Sequence, residues 1–129
     1  MHLAHITLPT RHVERTRDFL VNALGLSLLP SPANSPVPVY WLDLGSGQSL
    51  HVFYVEDIEL SRFECEFGRH IALFHPLADF PALKARLADA GAVFFDEVRR
   101  APFERFFFRE PVNGYYFEVI DVDQTPRRD

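Results

Sequence analysis

His70-Ile71-Ala72-Leu73 repeats His5-Ile6-Thr7-Leu8 at an offset of 65 residues, and that echo decides how the rest of the chain is read. Outward from it the matches continue in the same order. Asn22-Ala23-Leu24-Gly25-Leu26 returns as Ala88-Asp89-Ala90-Gly91-Ala92, 66 residues on. Leu50-His51-Val52-Phe53 returns as Phe117-Glu118-Val119-Ile120, 67 residues on. Each match is short, but three in sequence order with a slowly drifting offset mark two copies of one unit.

Each copy reads as a strand, a helix and three further strands. Over residues 2–8, Ala4, Ile6 and Leu8 fall on one face of a strand and Leu3, His5 and Thr7 on the other. Val13, Thr16, Phe19, Leu20, Ala23 and Leu24 recur at helical spacing, which predicts a helix over about 13–24 closed by Gly25 at positive φ. In the second copy Asp79 is the expected N-cap, with Pro81 in the first turn, Phe80, Leu83, Leu87 and Ala90 as the apolar stripe, and Gly91 as the stop. Strands are expected near 26–29, 38–44 and 49–55, and again near 92–96, 104–109 and 115–121, with a proline-rich loop at 31–38. The expectation is therefore an α+β chain of two tandem βαβββ modules. Module one covers about 1–55, an acidic linker 56–69, module two about 70–121, and a tail 122–129. At 129 residues the whole fits one domain of ordinary size, about 100–150 residues.

Composition narrows the function. Thirteen basic against eighteen acidic residues give a net charge of −5 without any basic stripe, which argues against a nucleic-acid partner. No apolar run reaches the ~20 residues of a membrane span, and no secretory pattern opens the chain, so the cytoplasm is the expected compartment. Cys65 is the single cysteine, which excludes an intrachain disulfide. Its neighbours Glu64 and Glu66 disfavour a thiolate there.

Four strands carry a potential metal ligand on the face opposite the apolar stripe: His5, His51, His70 and Glu118. A lone strand histidine is more often a hydrogen-bonded core or surface residue than a ligand. Here, however, His5 matches His70 and His51 matches Glu118 in the repeat, and structural accident gives no reason for matched positions. If the copies pack about a pseudo-twofold, the four side chains can converge. Such a donor set suits Zn²⁺, Fe²⁺, Mn²⁺, Ni²⁺ or Co²⁺, and without His51 it is the two-His, one-carboxylate triad of non-haem iron sites. Ligand imidazoles must be neutral, so binding should weaken as pH falls through about 6.5. His2, His12 and His75 read as non-ligands.

Taken together, these residues resemble the vicinal oxygen chelate superfamily, the glyoxalase, extradiol dioxygenase and bleomycin/fosfomycin-resistance group, over about residues 3–121. The likeness rests on His5-Ile6-Thr7-Leu8, Leu24-Gly25-Leu26, Gly47-Gln48-Ser49-Leu50-His51-Val52, Arg69-His70-Ile71-Ala72-Leu73, Arg105-Phe106-Phe107-Phe108-Arg109-Glu110-Pro111 and Asn113-Gly114-Tyr115-Tyr116-Phe117-Glu118. The group's Asp-Pro-x-Gly-Asn turn stands here as Glu110-Pro111-Val112-Asn113-Gly114, with Asn and Gly exchanged. The resemblance implies a cupped, barrel-like mixed sheet with helices outside. It also implies a divalent metal on His5, His70 and Glu118, with His51 as a fourth ligand or near neighbour. The metal would act as a Lewis acid on two adjacent oxygens of a small substrate. Glyoxalase-like isomerase or lyase, dioxygenase and transferase chemistry are all compatible, with Glu118 or His51 as the candidate base. Glyoxalase I places a carboxylate at the position of His51. Fosfomycin-modifying transferases share the His5, His70, Glu118 pattern, and Thr7 fits them as a substrate contact. They carry Tyr and Ser where this chain has Arg105-Phe106-Phe107-Phe108. Phe53, Phe106 and Phe108 are candidate pocket walls, and Arg105 and Arg109 candidate partners for an anionic substrate. Homodimers are common in the group. The alternative is a metal-free small-molecule binding protein of the bleomycin-resistance type.

Overall fold

The computed structural model describes residues 1–128, and the chain divides into two compact units, Met1–Glu59 and Leu60–Asp129. The first unit contains β1 (His5–Thr10), α1 (Val13–Asp18), β2 (Ser27–Leu29), β3 (Val39–Gly45) and β4 (Gln48–Tyr54). Its sheet order is β1-β4-β3-β2, with β1 and β4 parallel and the other pairs antiparallel. The second unit contains β5 (Ile71–His75), α2 (Phe80–Asp89), β6 (Val93–Phe95), β7 (Arg105–Arg109) and β8 (Tyr116–Asp121). It repeats the arrangement as β5-β8-β7-β6, again with only its first pair parallel. Identical connectivity in both units is what the echoed motifs required. The expected barrel-like sheet takes form as two open four-stranded mixed sheets, one to each unit.

The helices depart from expectation in instructive ways. Instead of one helix over 13–24, α1 stops at Asp18 and a π-helical turn, Phe19–Ala23, follows. The backbone N–H of Leu24 reaches the Phe19 carbonyl at 3.1 Å, five residues back. The wider turn still buries Phe19, Leu20 and Ala23, so the apolar stripe survives the change of pitch. Gly25 adopts φ +88°, as the stop demands. Asp79 does stand at the N-cap of α2, but its side chain makes no capping hydrogen bond. A 3₁₀ turn, Leu77–Asp79, leads the chain into the helix, and Pro81 supplies the first-turn φ. Gly91 ends α2 at φ +93°, while the Ala92 N–H closes on the Leu87 carbonyl at 3.0 Å.

Each sheet has one closed and one open face, since side chains alternate along a strand. In the first unit Leu8, Leu42, Leu50 and Val52 are at most 1% exposed and lie under α1 and its π-helical extension. His5, Thr7, Ser49, His51, Phe53 and Trp41 occupy the opposite face by register. In the second unit Ile71, Phe117, Phe108, Val119 and Phe106 form the helix-side face. The Phe106 ring meets Phe80 of α2 edge-on at 5.2 Å. Phe107, Glu118 and Ala72 share the other face, and His70 lies two residues before Ala72 on the same side.

The expected linker 56–69 holds no strand or helix, and its second part is built into the second unit. Glu64 is buried there, accepting the Tyr116 N–H at 3.3 Å and pairing with Arg69 at 3.2 Å. Gly68 is required in this turn, because a Cβ on it would lie 1.9 Å from the Phe63 carbonyl oxygen.

Candidate metal centre

Each unit gathers one pair of the four expected ligands. In the first, the parallel pairing of β1 with β4 sets His5 opposite Ser49 and Thr7 opposite His51, so both imidazoles stand on the open face. Their rings stack with centroids 4.1 Å apart and planes 12° from parallel. Trp41, the cross-strand partner of His51 on β3, stacks on the other side at 4.2 Å and 4°. His51 is thus the middle of a three-ring column, 7% exposed, while His5 stands exposed at its outer end. Burial, and then the neighbouring His5 ring, push the His51 pKa below the ordinary imidazole value. It is the neutral ring that can bind a metal. Its Nε2 lies 2.9 Å from the Ser49 hydroxyl.

The second pair is His70 and Glu118. Strand β8 is held at both ends by buried carboxylates. Glu110 accepts the N–H groups of Val112, Asn113 and Tyr115, shaping the turn in which Asn and Gly are exchanged. Beyond the strand, Asp121 accepts those of Asp123 and Thr125. Between them Glu118 is 5% exposed. Its Oε2 accepts from Arg105 Nη1 at 2.9 Å, and its Oε1 faces His70 Nε2 at 3.1 Å. His70 Nδ1 lies 3.2 Å from the Cys65 carbonyl, so both ring nitrogens face an acceptor. A neutral ring donates to one of these two acceptors, through whichever nitrogen carries its proton.

Around them Arg105 and Arg127 face Glu66, Glu97 and Glu118 in a cluster whose side chains are 4–18% exposed, and Arg127 also pairs with the half-exposed Glu104 at 3.2 Å. By chemistry His5, His51, His70 and Glu118 are donors of the kinds that hold a divalent metal. Among the described residues no group of three or more His, Cys, Asp or Glu side chains is gathered to hold an ion; the structure gathers the two pairs.

The remaining candidates are placed as follows. Thr7 is exposed beside His5, and the Phe53 ring stands edge-on to His51 at 6.3 Å. Phe106 and Phe108 lie on the helix side of their sheet, with Phe108 stacked on Phe117 at 5.2 Å, so they pack in the core on the face opposite Glu118. The side-chain period of two puts Phe107 on the Glu118 face; its ring meets His70 at 5.8 Å and lies under the Arg105 guanidinium at 4.9 Å. Arg105 is buried among carboxylates rather than free for a substrate anion. The Arg109 guanidinium lies over the rings of Phe95 and Tyr116 and donates to the Glu64 carbonyl at 3.2 Å. Sequence reasoning missed Trp41, Ser49, Phe107, Glu66 and Glu97. Ser49 and Trp41 become visible only once strand register is known, and nothing in the local sequence ties Glu97 or Glu66 to Arg105.

Glu97 has a measurable consequence. Burial alone would raise its pKa, but hydrogen bonds from Arg105 and Arg127 outweigh this and hold it down to about 2. A carboxylate with a depressed folded-state pKa stabilises the fold fully above its unfolded value of 4.5, and that contribution is lost as pH falls toward 2. The drop corresponds to on the order of 3 kcal/mol. Urea unfolding between pH 5 and pH 2.5 should show this loss in the parent, with a shallower slope in Glu97→Gln. Equal slopes would contradict the assignment.

A family model for the Glyoxalase/Bleomycin resistance protein/Dioxygenase superfamily matches residues 2–119. Among solved structures, the fosfomycin resistance protein FosX from Listeria monocytogenes superposes with a TM-score of 0.74 at 20% identity, covering 92% of this chain and 89% of that one. A glyoxalase family protein from Bacillus anthracis gives 0.75 at 18% identity, covering 94% of each chain. A mutant of the Listeria protein, complexed with Mn(II) and 1S,2S-dihydroxypropylphosphonic acid, gives 0.76 at 19% identity and covers 98% of each chain. No curated protein matches the chain.

Proposed function

The chain belongs to the Glyoxalase/Bleomycin resistance protein/Dioxygenase superfamily, and from that membership we propose that it is a divalent-metal-dependent enzyme acting on a small substrate with two adjacent oxygens. In this reading the pair His5 and His51 and the pair His70 and Glu118 are half-sites of one metal centre. The observation that carries it is the meeting of two side chains of ligand type, with Glu118 Oε1 3.1 Å from His70 Nε2. The Mn(II) complex of a structural relative supports it from outside this chain.

A metal bound there would supply Lewis acidity, polarising the substrate oxygens and stabilising negative charge that develops on them. The protein's own groups do the remainder. The His5–His51–Trp41 column fixes the orientation of both imidazoles, and burial, then the His5 ring, disfavours the charged form of His51. Arg105 restrains Glu118 so that one oxygen points to His70. Of the two candidate bases, His51 could act only when off the metal; its Nε2 lies 2.9 Å from the Ser49 hydroxyl, whereas both Glu118 oxygens are engaged. With Arg105 and Arg109 both committed, charge recognition falls to the metal, which favours a substrate held through its paired oxygens. The reading includes a homodimeric cytoplasmic protein whose partner is a small molecule. No helix among the described residues is long and apolar enough to cross a membrane.

A metal-free binding protein is the second reading, favoured by the ring column itself, whose exposed end at His5 offers a stacking surface to a planar ligand. Metal analysis separates the two. Untagged protein, reconstituted in turn with Mn²⁺, Fe²⁺, Co²⁺, Ni²⁺ and Zn²⁺ and then desalted, should retain near-stoichiometric metal with at least one of them. Retention of none, by a protein shown folded by circular dichroism, would leave the binding-protein reading standing.

A further inference from the structure

We propose that Arg105 is a positioning residue for the metal centre: it clamps one oxygen of Glu118 and thereby dictates which oxygen is presented for ligation. The inference rests on the metal reading above and deepens it. Every nitrogen of the guanidinium is used. Nη1 donates to Glu118 Oε2 at 2.9 Å and Nε to Glu97 Oε2 at 2.8 Å. Nη2 donates to the Arg99 carbonyl and lies 3.6 Å from Glu66 Oε2. The plane rests over the Phe107 ring at 4.9 Å, and the side chain is 4% exposed.

What makes this a clamp is that the anchors are themselves fixed. Glu66 accepts the N–H groups of Val98 and Arg99 at 2.7 and 2.9 Å. Glu97 is tied to Arg127, which also donates to the Ala101 carbonyl at 3.0 Å. Arg105 is therefore pinned to the 97–101 segment, and Glu118 is pinned through it. A planar five-donor fork can serve these acceptors at once; an ammonium cannot. With Oε2 occupied, Oε1 alone is left toward His70, which confines the carboxylate to one-oxygen ligation. Groups that hold a ligand in this way typically contribute 10–100-fold to metal affinity.

The test measures Mn(II) affinity by electron paramagnetic resonance of the free ion, alongside melting temperature, for the parent, Arg105→Lys, Arg105→Gln and Leu83→Val. Leu83 is a 1% exposed residue of α2, away from the ligand face, and controls for loss of stability alone. The expected result is a 10–100-fold loss of affinity in a folded Arg105 variant and less than about 3-fold in Leu83→Val. The glutamine change, which lacks the charge, serves should the lysine change prevent folding. Parent-like affinity in a folded Arg105 variant, or an equal loss in Leu83→Val, would overturn the clamp alone. A parent that binds Mn(II) no better than His70→Ala would overturn the metal reading and this inference with it.

Discussion

Glu118→Gln is expected to lower divalent-metal affinity by at least about 100-fold while leaving the melting temperature of the metal-free protein unchanged or higher. The ligand loss follows from charge, since an amide oxygen is a poor substitute for a carboxylate on a divalent ion, and even groups that merely hold a ligand contribute 10–100-fold. The stability expectation follows from the count of buried charges. Glutamine leaves Arg105 and Arg127 facing Glu66 and Glu97, with the half-exposed Glu104 also on Arg127. Its carbonyl can still accept from Arg105 Nη1, and its amide N–H can donate to the His70 Nε2 lone pair, so no buried group is orphaned. A residue that merely served the fold would show the opposite pattern, with stability lost and metal affinity kept. Titration calorimetry and thermal melts of the same samples decide between them.

Phe117→Ala is expected to destabilise the second unit by about 3–5 kcal/mol, the usual cost of emptying a large buried aromatic site. Phe117 is fully buried, stacks on Phe108 at 5.2 Å with planes 7° apart, and is paired in register with Ile71 on its other side. Its neighbours are strand residues held by ladder hydrogen bonds, so the cavity cannot collapse. Phe74→Ala is the comparison: that ring is 61% exposed, and its loss should change stability by less than about 0.5 kcal/mol. Urea denaturation of both variants would expose an error if the two costs came out alike.

The fold was legible because repetition and alternation are properties of sequence. The His5 and His70 motifs announced two like units, and the period-two pattern set His5 and His51 opposite Leu8 and Leu50 before any pairing was known. What could not be read was register and reach. In Arg105-Phe106-Phe107-Phe108 the aromatics look equivalent, and only the pairing of Phe107 with Glu118 shows which ring shares its face. The partners of Arg105 were hidden for another reason. Its partners Glu66 and Glu97 come from irregular segments, where long side chains can reach many places and local pattern predicts none. The π-helical turn at Phe19–Ala23 was likewise invisible, since an apolar stripe tolerates one wide turn without a change in composition.

We propose that His5, His51, His70 and Glu118 serve a single ion. Cobalt(II) titration, followed through the visible absorption of the bound ion, tests it most directly in the parent, in His51→Ala and in His70→Ala. One Co²⁺ per chain is expected in the parent, with loss of the bound spectrum in both variants. Two ions per chain, or a spectrum that survives either substitution intact, would show that the pairs act independently and contradict the single centre.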